Sequence, residues 1–229
     1  MALPELGLKV AKRQVLADEV TDDIRAAILS RQLEPGQKLA EDELALQIGV
    51  SRGPIREALA RLEREGLVIM ERHKGARVAS WTLRDVEEIY AMRGALEELA
   101  IDWACKNATA EQIAEMGVII EAWGKIPPKL RTSQEVSRLD LDFHTVLFKS
   151  AHHARLLLAW EGLRSQMHAF LAYALFENEI SKGTYRPNWG KDHAAILELI
   201  KGRKNLAAKK EIRHHVEGGY QTVAILFEE

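Results

Sequence analysis

Apolar residues recur at helical spacing through most of the chain, and the places where they stop are sharply marked. Val20, Ile24, Ala27 and Ile28 fall on one face of a helix that must end at Leu33-Glu34-Pro35-Gly36. A short second helix is predicted from about Glu41 to Ile48, stopped by Gly49. Ser51 then offers an N-cap oxygen, and Pro54 sits in a first turn where its missing N–H does no harm. Ile55, Leu59 and Leu62 line one face as far as Gly66. Two short β-prone runs follow, Leu67–Met70 and Ala76–Ala79, around the turn-like Arg72-His73-Lys74-Gly75. Helix, tight turn, helix and hairpin make a winged helix-turn-helix over residues 12–80, with the hairpin as its wing.

From residue 81 the pattern changes. Leu83, Val86, Ile89, Tyr90, Leu96, Leu99 and Trp103 fit a long amphipathic helix, and no later segment alternates well enough for a second sheet. Pro127-Pro128 and the stretch from Gly183 to Gly190 read as loops between helices. The fold class is therefore mainly α, with an N-terminal winged helix and a C-terminal antiparallel helical bundle over residues 84–225. No internal repeat or low-complexity segment interrupts it.

Composition narrows the class of function. The 229 residues are 47% hydrophobic and 29% charged, ordinary for a folded globular protein. Apolar runs such as Leu156–Trp160 fall far short of the roughly 20 residues that span a bilayer, and the N-terminus has no apolar signal core, so a cytoplasmic location without a membrane partner is expected. The single cysteine, Cys105, lies in a helical apolar pattern and reads as core filler.

A net charge of −2 gives no global sign of nucleic-acid binding, so any DNA contact must be local. Residues 52–77 supply a patch, with seven arginines and lysines against four glutamates. A solvated helix face, with pairs such as Glu57 to Arg61, would account for the charges alone. The third helix adds geometry. With Ile55, Leu59 and Leu62 inward, Arg52 and Arg56 lie one turn apart on the outward side, where a guanidinium can grip guanine O6 and N7. Ser51 and the first-turn N–H groups suit phosphate, and Gly53 permits close backbone approach. His73, Lys74 and Gly75 form a wing tip able to touch the neighbouring backbone or minor groove.

Three runs make the resemblance specific: Glu43-Leu44-Ala45, then Ile48 to Leu59 (IGVSRGPIREAL), then Arg61 to Val68 (RLEREGLV). This region resembles the winged helix of GntR-family transcriptional regulators. Gly53 stands where the family usually has Thr or a similar small polar residue, and Asp42 where some members place a base-reading arginine. Both departures bear on the operator sequence.

The bundle carries its own candidate chemistry. Arg93 falls near the apolar stripe of its first helix, where a charge costs free energy unless paired. Glu97, one turn on, is the plain partner, while a carboxylate ligand is the functional one. Asp140 and His144 are four residues apart on a helix whose Phe143, Leu147 and Ala151 face inward with them. His193 starts a helix running to about Lys201, and the next helix brings the chain back to His215 after about 13.5 Å in each direction. The two histidines thus return to one level of an antiparallel hairpin. One carboxylate and three imidazoles suit zinc, nickel or a similar divalent ion. Chance placement of individually satisfied histidines is the competing account, and His152, His153, His168 and His214 show how common stray histidines are here.

About residues 84–225 resemble the FadR C-terminal (FCD) ligand-binding domain of one branch of the GntR family, whose metal motif matches at Asp140, His144, His193 and His215. Arg93 sits where such domains carry an arginine in the first helix. The resemblance implies a ligand-responsive regulator, repression of its operon, and a small carboxylate effector on open metal positions with Arg93, and Arg164 as a further contact. A homodimer on a palindromic operator follows from twofold symmetry. Two alternatives stand beside it. A metal-dependent enzyme acting on a small carboxylate has the same ligand chemistry but no recognisable general base or nucleophile motif, and a metal-free regulator could instead answer to an acyl ligand.

Overall fold

A computed structural model describes residues 12–127, 132–182 and 189–227, in two compact units, one ending at Ala79 and the other beginning at Ser80. In the first, α1 (Lys12–Leu29), β1 (Lys38–Leu39), α2 (Glu41–Ile48), α3 (Arg52–Arg64), β2 (Val68–Glu71) and β3 (Gly75–Val78) follow one another. Ala17, Val20, Ile24 and Ile28 of α1 are buried, as are Ile55, Ala58, Leu59 and Leu62 of α3, which gives the two helices a common apolar core. At its edge Arg25 holds Glu65 with two parallel hydrogen bonds of 2.9 and 2.7 Å, and Arg61 pairs with both Asp18 and Glu57.

The wing is larger than the hairpin read from sequence. β1 adds a third strand, and the antiparallel sheet runs β1-β3-β2, with Leu39 opposite Ala76 and Val68 opposite Val78. Two residues are too few to show alternation, so Lys38-Leu39 has no strand signature of its own; its pairing with β3 makes it one.

Gly49 ends α2 at φ +76°, with its N–H bonded to Ala45 O at 3.0 Å. Nothing lies within 4 Å of an added Cβ, so space is not what requires glycine. The left-handed backbone is. Gly49→Ala should therefore cost about 1–2 kcal/mol, seen as a lower urea midpoint with an unchanged m-value; an unmoved midpoint would mean that the turn relaxes freely. Ser51 occupies the N-cap of α3, yet its side chain makes no capping hydrogen bond and remains exposed.

The second unit consists of α4 (Leu83–Asn107), α5 (Ala110–Lys125), α6 (Ser133–Ser150), α7 (Ala154–Lys182), α8 (Trp189–Lys201) and α9 (Asn205–Ala224). Thr82 with Asp85 and Thr109 with Gln112 form reciprocal capping boxes that fix the starts of α4 and α5. α4 packs chiefly on α9 and α6 on α7. Phe148 stacks on Trp160 at 4.6 Å within the shared core. Cys105 is buried there, and burial raises its thiol above the ordinary value.

Two expectations for this unit need correction. Leu99 and Trp103 are 44% and 39% exposed, because the buried stripe of α4 runs through Val86, Tyr90, Arg93, Glu97, Ala100, Ile101 and Ala104. The inner face takes in a charged pair and small residues beside its large apolar ones, so Leu99 and Trp103 are rotated outward. α8 begins at Trp189, four residues before His193. Pro128 and residues 183–188, read as loop, lie outside the described residues. No helix among the described residues is long and apolar enough to cross a membrane.

Candidate metal centre and DNA-reading face

Three elements converge on one buried point. α6 contributes Asp140 and His144, α8 contributes His193, and α9 contributes His215, each with one ligand atom within 4.8 Å of all the others. All four residues are buried. His144 Nε2 lies 3.1 Å from His215 Nε2, and Asp140 Oδ1 lies 3.3 Å from His193 Nε2.

Hydrogen bonds around this core set which ring nitrogens carry protons. His193 Nδ1 is 2.8 Å from Trp189 O; a carbonyl only accepts, so Nδ1 is the donor and Nε2 is left with a lone pair. Arg93 Nη2 is 2.9 Å from His144 Nε2; a guanidinium only donates, so this ring's proton belongs on Nδ1. There Glu97 Oε2 lies 3.0 Å away, close but out of hydrogen-bond alignment. The second oxygen of Glu97 accepts from Arg93 Nε at 2.7 Å. Trp189 Nε1 donates to Asp140 Oδ1 at 2.8 Å, and its ring stacks on His193 at 3.9 Å.

Electrostatics agree with neutral rings at His193 and His215. Burial lowers His193 despite the attraction of Asp140, and burial together with the neighbouring histidines holds His215 well below its ordinary value. Burial works to raise the Asp140 carboxyl, but the donors and positive charge around it, the Arg93 cation among them, outweigh it and keep it well below the usual carboxylate range. Glu97 is likewise pushed up by burial and brought down overall by Arg93.

The result is a mismatch with a chemical remedy. A neutral His193 turns a lone pair toward a carboxylate oxygen, and both His193 Nε2 and Asp140 Oδ2 are buried without a hydrogen-bond partner. Lone pair against lone pair in a dry site is unfavourable. A cation between them removes the conflict, and three imidazoles with one carboxylate are a donor set for a borderline divalent ion. The residues therefore fit a metal.

Arg93 pairs with Glu97, the plain partner read from the sequence, and also reaches the protein's own Asp140 Oδ2 at 3.6 Å. Arg164 is not brought to the cluster: it is held by Asp142 Oδ1 at 3.0 Å and Thr145 Oγ1 at 3.2 Å. Sequence reasoning did not find Trp189 or the contact of Glu97 with His144. The first had a signal, because Trp189 is one turn before His193. The second had none.

In the first unit, Arg52 and Arg56 open α3 with exposed side chains, Ser51 and Gly53 beside them. His73, Lys74 and Gly75 form the exposed tip between β2 and β3, with His73 at φ +66° and Gly75 at φ +87°.

Comparisons with known proteins match both units. Residues 16–78 match the model for bacterial regulatory proteins of the gntR family, and residues 88–218 match the FCD domain, a family often found to bind metal. The chain is 31% identical over 172 residues to the gluconate operon transcriptional repressor of Bacillus licheniformis, covering 75% of this chain and 69% of the relative. A solved GntR-family transcriptional regulator from Pseudomonas syringae pv. tomato DC3000 is 28% identical, with a TM-score of 0.55 over 97% of this chain and 90% of the other. The fold alone is shared with E. coli McbR/YncC, at 23% identity and a TM-score of 0.72 over 96% and 99%.

Proposed function

Because the chain belongs to the gntR family of DNA-binding transcriptional regulators and carries that family's FCD ligand-binding domain, we propose that it is a repressor whose helical unit holds a divalent metal and a small organic acid. The repressor assignment follows the gluconate operon relative. Family and relatives are regulators rather than enzymes. Asp140, His144, His193 and His215 hold zinc or nickel, and the opposed lone pairs of His193 and Asp140 are the observation that carries this reading.

When bound, the metal supplies a Lewis-acidic centre with positions open to an effector carboxylate. Arg93, buried against the ligands, contributes the forked donors that recognise such a group. Arg164, engaged by Asp142, is left out of the effector set. In a homodimer on a palindromic operator, Arg52 and Arg56 read base edges, Ser51 and Gly53 meet phosphate, and His73, Lys74 and Gly75 meet the flanking backbone. An effector that prefers one dimer geometry changes DNA affinity by the factor with which DNA changes effector affinity.

A melt of metal-stripped protein with zinc, nickel and a panel of small carboxylic acids tests the reading. Metal at a hundredfold excess over its Kd should stabilise by about 2.7 kcal/mol, and one acid should add to this only when metal is present. Indifference to both metals would sink the metal centre; an acid acting equally without metal would sink the shared site.

A further inference from the structure

The two arginines at the start of α3 are held by carboxylates from another helix. Arg52 pairs through Nε with Asp42, and Arg56 through Nε with Glu41 Oε2 at 2.6 Å. Both acids come from the first turn of α2. Among the described residues no other hydrogen bond or ion pair engages either guanidinium, so each keeps both Nη groups available.

Stability is a weak reason for this arrangement. The arginine side chains are 59% and 64% exposed, and ion pairs in such surroundings add little to folding. Affinity is a weaker one, since two carboxylates beside a polyanion oppose binding. What the pairs do is geometric. A carboxylate on Nε restricts a long flexible side chain before DNA arrives and leaves the Nη edge, which can grip guanine O6 and N7. Restricting the free side chain lowers the ordering cost at binding.

We propose that Glu41 and Asp42 are positioning residues for base reading: by holding Arg56 and Arg52 they raise discrimination between sequences while lowering general affinity for DNA. The proposal rests on the reading that these arginines contact base edges. It gives the two functions opposite signs, which neither a helix-stabilising role for the acids nor simple repulsion of phosphate would do.

The full-length wild-type protein is used to select an operator from random duplex DNA, and binding to that operator and to a scrambled duplex is measured at fixed salt. Glu41→Ala and Asp42→Ala should bind the scrambled duplex about threefold more tightly, yet lose about five- to tenfold in the operator-to-scrambled ratio. Glu41→Gln, which keeps an acceptor for Arg56 Nε, should retain most of the ratio. Arg56→Ala should itself lower the ratio, and adding Glu41→Ala to it should change the ratio no further. Melting curves within a few degrees of wild type keep folding out of the comparison. If Arg56→Ala lowers the ratio and Glu41→Ala and Asp42→Ala do not, the positioning role is wrong. If both affinities rise together, the acids only repel DNA. An unchanged ratio in Arg56→Ala overturns the base-reading role beneath the proposal, and the proposal with it.

Discussion

Arg93→Ala should destabilise the helical unit by about 3–5 kcal/mol, the range found when one partner of a buried ion pair is removed. Arg93 is buried, and its guanidinium holds Glu97 at 2.7 Å, His144 Nε2 at 2.9 Å and Asp140 Oδ2 at 3.6 Å. Truncation leaves two buried carboxylates with no fixed cation between them. Arg93→Lys should recover only part of the loss, because a compact ammonium cannot span the three acceptors that a planar fork meets. Exchanging both charges, as in Arg93→Met with Glu97→Leu, should cost much less than either single change, since the burden of the single variants is the charge left behind. Urea unfolding in chelator at pH 7.5 measures all four. A loss below about 1 kcal/mol for Arg93→Ala would show that water reaches the pair.

The second large effect is on pH. His193 and His215 both have folded-state pKa values below the ordinary histidine value, so the unfolded chain binds more protons than the native one as pH falls through about 6.5. Their contribution is fully present above that value and is lost on acidification, at about 1.4 kcal/mol per pH unit for each ring that stays neutral. Asp140 and Glu97, with lowered values, add a second loss further into acid, below the ordinary carboxylate range. Metal-free protein should thus lose stability steeply from pH 6.5 to 5.5, and His215→Gln should shallow that slope by about one proton. A flat profile over this interval would mean that the rings are already charged or not enclosed.

The winged helix was legible because its breaks are chemical: Gly49 is needed for a positive φ, Pro54 is tolerated only in a first turn, and Gly66 ends α3. The bundle was legible as a set of helices but not in its rotations. Leu99 and Trp103 look inward to any periodicity rule, yet α4 turns Arg93 and Glu97 to the core, where the ion pair within α4 also reaches Asp140 of α6. The four candidate ligands could be gathered from sequence because each lies one turn or one hairpin return from another. Glu97 and His144 could not, since they meet between α4 and α6, and no spacing along the chain encodes that contact.

The presence of Glu97 in this enclosure has a consequence for ligand choice. Counting fixed charges, Arg93 cancels one of the two carboxylates, Glu97 and Asp140, and imidazoles that give a lone pair to a metal carry no charge. Under the proposed reading a divalent ion turns that remainder of one negative charge into one positive charge. A singly charged acid completes neutrality, while a doubly charged one overshoots it and leaves an uncompensated negative charge in a buried site. The site would thus sort metabolites by valence before it sorts them by shape.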